Sequence, residues 1–441
     1  MKLKSQRILK FTALFAAVIL CLFMLAGCSA SADWVRRTIE ANYYCFNEED
    51  YASLKNMRGL TVKEMMSRLD RYSAYYTAEQ YAAVLADNGG SKSGIGISYT
   101  YESGRGVVLQ SVVGNSPAMR AGLKAGDVIV SAAAGGKTVQ FSSMDGFSSF
   151  VTARATNENF TVTLSDGTSV SLAKKEYTAS YVSMYTSEAS YDIQYSGKTR
   201  QIIRDPEGGI SVLPEGTAYF YLSQFYGDAV NEMGVLITEF NSLGCDTLIL
   251  DLRGDGGGYV DVMARIGCRF TVRVADNAVA MRAIYKGGNQ TVDHCYLKTS
   301  DLRSGDSVVP AGTKVYAMAN HNTASASEAL LGVLVSYNIL DCENIFLSDY
   351  RQVAGYENSQ PKSYGKGIMQ STFVNISGEA LKLTVAGIYW QNGVTIHNRG
   401  LTKEEFGCSV APATDTIVNV GMDDELLSVT AKINADRAAE Q

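Results

Sequence analysis

Residues 246–252, "DTLILDL", form a nearly unbroken apolar run bounded by acidic residues. A strand this apolar has no water-facing side. It must be covered on both faces, as in a parallel sheet flanked by crossover helices. Its neighbours fit that demand: "AYFYLSQF" (218–225) and "KVYAMAN" (314–320) read as strands. "GDAVNEMGVLITEFNSLG" (227–244) reads as an amphipathic helix closed by Gly244, and "ASEALLGVLVSYN" (326–338) as a second helix. Strands and helices that alternate in this way predict a mixed α/β core with a mostly parallel sheet.

The rest of the chain divides by pattern. The first 27 residues have a basic start (Lys2, Lys4, Arg7, Lys10) and a short apolar run from Phe11 to Leu25, as a secretory signal does. The alternative, an uncleaved membrane anchor, is disfavoured because the run is short for a bilayer span. Residues 28–91 form an N-terminal region that reads as helical over 34–88, with Thr77 as a helix start. From residue 92 to 176 the pattern turns to short strands with Gly and Asp-Gly turns, interrupted by a short helix in "NSPAMRAGLKAGD" (115–127). Residues 177–215 are Tyr- and Ser-rich and read as extra strands or a loop, and the α/β core of the final domain, 177–441, follows.

Composition narrows the function. The net charge is −6, and no Lys/Arg run follows the N-terminus, which argues against nucleic acid as a partner. No Cys-x-x-Cys or His/Cys cluster suggests a metal, and no cofactor is expected. Cys45, Cys245, Cys268, Cys295, Cys342 and Cys408 are irregularly spaced, so sequence assigns no disulfide connectivity.

Three segments can carry chemistry. In "DLRGDGGGYVDV" (251–262), glycines at a strand end lead into a helix and leave backbone N–H groups free for an anion. A phosphate would need the Gly-Lys-Ser/Thr signature, which is missing, whereas the oxyanion of acyl transfer needs only the N–H groups. In "HNTASASEALL" (321–331), Ser325 sits at a strand–turn–helix junction, where hydrolases place nucleophiles. The plain alternative is a capping box, Ser325 with Glu328. A nucleophilic serine needs a base. His294, His321 and His397 are the chain's three histidines, and none has a triad context. In "SYGKGIMQ" (363–370), Lys366 lies between glycines, and Gln370, four residues on, projects to the same side of an extended strand.

Two resemblances follow from these residues. "SGIGI" (93–97) with "SPAMRAGLKAGDVI" (116–129) resembles a PDZ domain, here over 92–176. The resemblance implies that Gly94, Ile95, Gly96 and Ile97 present N–H groups to a peptide's C-terminal carboxylate beside an open edge strand. "LAGC" (25–28) resembles the lipobox of bacterial lipoproteins, which implies lipid on Cys28 and an extracytoplasmic protein held to the bacterial cell membrane.

The order "DLRGDGGG", "NTASASEAL", "YGKGIMQ" after a PDZ-like segment resembles the carboxyl-terminal processing (tail-specific) proteases from about residue 60 onward. That resemblance implies an exported serine endopeptidase acting on protein or peptide substrates with free C-termini. Ser325 matches the nucleophile, Lys366 the base and Gln370 the residue that orients the lysine. Ala326 with Gly257 or Gly258 matches the oxyanion hole. A neutral lysine costs roughly 4–5 kcal/mol near pH 7, so Lys366 must be buried away from carboxylates. The chain departs from the family where Gly254-Asp255-Gly256 replaces the usual Asn-Pro segment, and in its long Ser325–Lys366 spacing of 366 − 325 = 41 positions. The rival reading is a catalytically inactive envelope PDZ scaffold. The resemblance leaves open a homo-oligomer or an activating partner.

Overall fold

The computed structural model describes residues 31–44, 54, 56–197, 199–270, 277–286, 292–298, 302, 307–421 and 423–440. The signal segment, Cys28 and Cys45 lie outside them. The chain divides into two units: residues 1–83, 283–293 and 368–387 form one, and residues 84–282, 294–367 and 388–441 the other.

An eight-stranded sheet organises the larger unit. Its strands are β1 (Val182–Tyr185), β2 (Ser190–Ser196), β3 (Thr199–Asp205), β4 (Thr217–Leu222), β5 (Thr247–Asp251), β6 (Lys314–Ala319), β7 (Ile345–Asp349) and β8 (Ser409–Pro412). Their order is β3-β2-β1-β4-β5-β6-β7-β8. β4 to β8 run parallel, and β1 to β3 form an antiparallel extension. All five residues of β5 are buried, as the apolar run requires. The extension answers the open question over 177–215: those residues hold three strands of this sheet.

Four helices cover the sheet: α1 (Ala229–Ser242), α2 (Val260–Phe270), α3 (Ala326–Ser336) and α4 (Asp424–Ala439). α4 places Leu426, Val429 and Ile433 against Tyr219, Ile249, Tyr316 and Met318 of one sheet face. Each apolar side chain sealed in this way contributes about 1.5–3 kcal/mol. α1 ends as read, with Gly244 just beyond it in the left-handed region at φ 67°.

A second sheet of the same unit runs Ile97–Glu102, Gly106–Val112, Val128–Ala134, Asn159–Leu164, Ser169–Ala173 in that order, with Lys137–Gln140 beside the third strand. Two short helices accompany it, Pro117–Arg120 and Met144–Thr152; the second fell in a stretch read as strands. Its Phe147 is fully buried and meets Tyr99 and Phe141 edge-on, with ring centroids 5.0 and 5.1 Å apart.

In the smaller unit, residues 31–42 and Val62–Met66 are helical. The helical reading over 34–88 fails at Ala74–Tyr76, a strand paired antiparallel with Ala380–Lys382. Tyrosines suit strand and helix alike, and the partner lies some three hundred residues away, so local spacing carries no trace of the pairing.

Candidate active site

β5 runs into the glycine loop, and β6 runs into the turn that opens α3. Parallel neighbours place these two ends side by side. The loop is then stitched to the turn. The Thr323 hydroxyl donates to the Leu252 carbonyl at 2.8 Å. The Asp255 carbonyl accepts the Ala324 N–H and the Ser327 hydroxyl, each at 2.9 Å. Behind the loop, Arg253 is buried and meets Asp251 and Asp423 at 2.7 Å and Glu425 at 3.1 Å. This ion-pair cluster ties the end of β5 to the start of α4.

Contact distances explain two glycines. A Cβ on Gly257 would lie 2.7 Å from the Ala324 carbonyl and 2.8 Å from the Ala326 nitrogen. One on Gly258 would lie 2.4 Å from the Phe225 carbonyl. Only glycine lets the backbone come this close to Ser325. The Gly257 N–H donates to Asp255 Oδ1 at 2.8 Å and is committed to its own loop. No hydrogen bond engages the Gly258 or Ala326 N–H among the described residues. Of the expected oxyanion donors, these two are open.

Ser325 has φ 61° and ψ −113°, far from the extended backbone of an ordinary helix cap. Such conformations are sparsely populated and cluster at active sites. Ser327, the other hydroxyl of the turn, is fully buried and bound to the loop. His321 packs edge-on against Tyr350, ring centroids 5.2 Å apart, and burial lowers its pKa.

Lys366 reaches the same place through Glu328. This buried carboxylate accepts four hydrogen bonds. Oε2 takes the N–H of Ser325 and the N–H of Lys366, each at 2.9 Å. Oε1 takes the Ser363 hydroxyl at 2.5 Å and the Gly365 N–H at 2.7 Å. The amide nitrogens of Ser325 and Lys366 therefore lie within twice 2.9 Å of each other. Burial raises the Glu328 pKa despite these donors. The flanking glycines have a reason too. A Cβ on Gly365 or Gly367 would lie 2.8 Å from the backbone nitrogen of Gly400 or His397.

Gln370 lies on the strand Ile368–Val374 of the smaller unit and donates to Thr384 Oγ1 at 3.2 Å. The strand starts after Lys366, and the register slips opposite Met369 and Gln370 because the partner strand carries the extra residue, Val385.

Sequence reasoning read Glu328 only as a cap, and it overlooked Arg253 and Asp255. Asp255 is fully buried, its Oδ2 has no hydrogen-bond partner among the described residues, and burial pushes its pKa well above the usual carboxylate range. Its position inside a departure from the family pattern was the available signal.

Just before the second sheet, Gly94 ends the strand Ser91–Gly94, which pairs with Lys175–Thr178, and Gly94 and Gly96 have φ of 142° and 79°. Ile95 points into the core, and its N–H and that of Gly96 carry no hydrogen bond among the described residues. Ile97–Glu102 is an edge strand.

Comparison with known proteins bears on the family and the fold. The family model described as Peptidase family S41 matches residues 216–341. The "C-terminal processing peptidase, chloroplastic" of Tetradesmus obliquus is 24% identical over 360 residues, covering 78% of this chain and 66% of that protein. The "Probable CtpA-like serine protease" of Staphylococcus aureus (strain N315) is 25% identical over 399 residues, covering 89% and 68%. The aligned region thus spans about two thirds of these relatives' lengths. A solved structure described as "Putative S41 protease from Bacteroides fragilis NCTC 9343" shares the fold, with TM-score 0.58 and 12% identity over 91% of this chain and 97% of that one. The chain carries a domain of peptidase family S41 at residues 216–341, and its similarity to C-terminal processing and CtpA-like serine proteases supports a serine-type peptidase.

Proposed function

We propose that the protein is an exported, lipid-anchored serine endopeptidase that uses Ser325 and Lys366 as its catalytic pair. One observation carries the pairing: a single buried oxygen, Glu328 Oε2, holds the backbone N–H groups of both residues. In the reaction, neutral Lys366 takes the Ser325 hydroxyl proton, and the oxygen attacks a peptide carbonyl. The Gly258 and Ala326 N–H groups stabilise the oxyanion, a role worth about 3 kcal/mol per donor. The leaving amine takes the proton from Lys366. Water, deprotonated by the same lysine, then releases the acyl group from Ser325. Gln370 is assigned the orientation of the lysine.

The segment 92–176 acts as a PDZ domain. The unengaged N–H groups of Ile95 and Gly96, beside an edge strand, suit a peptide's terminal carboxylate. Substrates are therefore proteins with free C-termini, and the domain either captures them or gates the active site. The "LAGC" segment supplies the anchor at Cys28.

Casein cleavage by the wild type, Ser325→Ala and Ser327→Ala tests the assignment. Ser325→Ala abolishes cleavage; Ser327→Ala retains it. The opposite pattern moves the nucleophile. Carboxylate-dependent peptide binding with no cleavage by the wild type makes the protein a scaffold.

A further inference from the structure

We propose that the turn Asn375–Glu379 of the smaller unit is a membrane-contact element, with Ile376 entering the lipid surface and Arg58 and Lys63 facing anionic headgroups. This rests on the anchor at Cys28 proposed above, and not on the catalytic pair.

The turn joins the strands Ile368–Val374 and Ala380–Trp390. At its tip Ile376 is wholly exposed (108%), and Val374 beside it is half exposed (51%). An isoleucine held fully in water at a hairpin tip has no role in the core. The turn is itself held rigidly. The Glu379 carboxylate accepts the Asn375 side-chain amide at 2.6 Å, the Tyr75 hydroxyl at 2.5 Å and the Ser31 hydroxyl at 2.9 Å.

Ser31 locates the bilayer. It is three residues beyond Cys28. An extended chain covers at most ~3.6 Å per residue, so acyl chains on Cys28 begin no more than about 11 Å of backbone from Ser31. The residue nearest the anchor is thus bonded to the base of the turn that carries Ile376. The cleft at this place is also lined by Arg58 and Lys63, both exposed and in no ion pair among the described residues. The neighbouring Arg36 is neutralised by Asp33 at 2.5 Å and Glu40 at 2.6 Å. Against these two cations the cleft holds one carboxylate in no ion pair among the described residues, Glu379, and the net positive charge beside an exposed apolar tip suits an anionic phospholipid surface. A second copy of the chain suits it less, because one isoleucine and part of a valine fall far short of the roughly 800 Å² per partner of a stable interface.

The test uses the full chain, purified from membranes and reconstituted in phosphatidylglycerol-containing vesicles with or without brominated acyl chains. Ile376→Trp is compared with the parent, whose Trp34 and Trp390 set the background. The expected result is loss of most of the added emission in brominated vesicles. A mass spectrum of the same sample reports the lipid. An acylated protein whose added emission is unquenched overturns the inference alone. A protein without lipid at Cys28 overturns the anchor and the inference together. Added emission that shifts with protein concentration in detergent, and is indifferent to bromine, assigns the tip to a second copy instead.

Discussion

Removing the Glu328 carboxylate should disable the protein more than any other single change outside the reacting groups. Glu328→Ala leaves three backbone N–H groups and the Ser363 hydroxyl without their acceptor in a buried site. Each abandoned buried donor costs about 1–3 kcal/mol, so the loss reaches roughly 4 kcal/mol even with partial relaxation. That is a large share of the 5–15 kcal/mol by which domains are stable. Glu328→Gln is the finer probe. Its carbonyl oxygen can keep Ser325 and Lys366, while its amide faces Ser363, whose hydroxyl can turn to accept. The Gly365 N–H then meets another donor and the Ser363 hydroxyl proton loses its acceptor, each at a cost of about 1–3 kcal/mol. Urea unfolding reads the stability ranking: wild type, then Gln, then Ala. Peptide turnover reads alignment, because a shift of about 1 Å between reacting groups costs on the order of 100-fold. The Ala variant should lose at least that much kcat even where it remains folded. An Ala variant with wild-type turnover, or one destabilised by less than about 1 kcal/mol, would show that Glu328 does not hold the two segments together.

Gly258→Ala places a methyl group 2.4 Å from the Phe225 carbonyl and distorts an open oxyanion donor; kcat should fall on the order of 100-fold with KM little changed, and steady-state kinetics checks it. Arg253→Met strands the Asp251, Asp423 and Glu425 carboxylates in the interior; urea unfolding should show a loss of about 3–5 kcal/mol, the cost of breaking a buried pair from one side. Glu232 sits buried under the Tyr181 and Val182 N–H groups and the Tyr195 hydroxyl, and burial raises its pKa from 4.5 to about 7. Below pH 4.5 both states hold the proton; between 4.5 and about 7 the unfolded chain releases it while the folded chain keeps it, so stability falls with rising pH by roughly 3 kcal/mol. Glu232→Gln should flatten that part of the urea-midpoint profile, and parallel profiles for the two proteins would contradict it.

The legible parts of this molecule are those whose physics is local. β5 is readable because burial on both faces writes an apolar run into consecutive residues. Gly244 is readable because a helix end needs a left-handed residue next to it. Ser325 and the paired glycines are readable because strand-to-helix turns concentrate small residues. What stayed hidden depends on distant partners. Glu328 looks like a cap until Ser363 and Lys366, 35 and 38 residues away, fold onto it. Arg253 looks like a loop residue until Asp423 and Glu425 close over it. Ala74–Tyr76 becomes a strand only beside Ala380–Lys382. The Met144–Thr152 helix was missed because it interrupts strand signals on both sides, and only its buried Phe147 shows its use.

Covalent labelling shows whether Lys366 activates Ser325. Wild-type protein, Lys366→Ala and Lys366→Arg are treated with a serine-reactive acylating probe, and the modified peptide is identified by mass spectrometry. An adduct should form on Ser325 in the wild type and at no comparable rate in either lysine variant, with circular dichroism unchanged across the three. A guanidinium stays protonated and cannot serve as base, so arginine should not rescue. Labelling of Ser325 at the wild-type rate without Lys366, or an adduct on Ser327 instead, would contradict that activation.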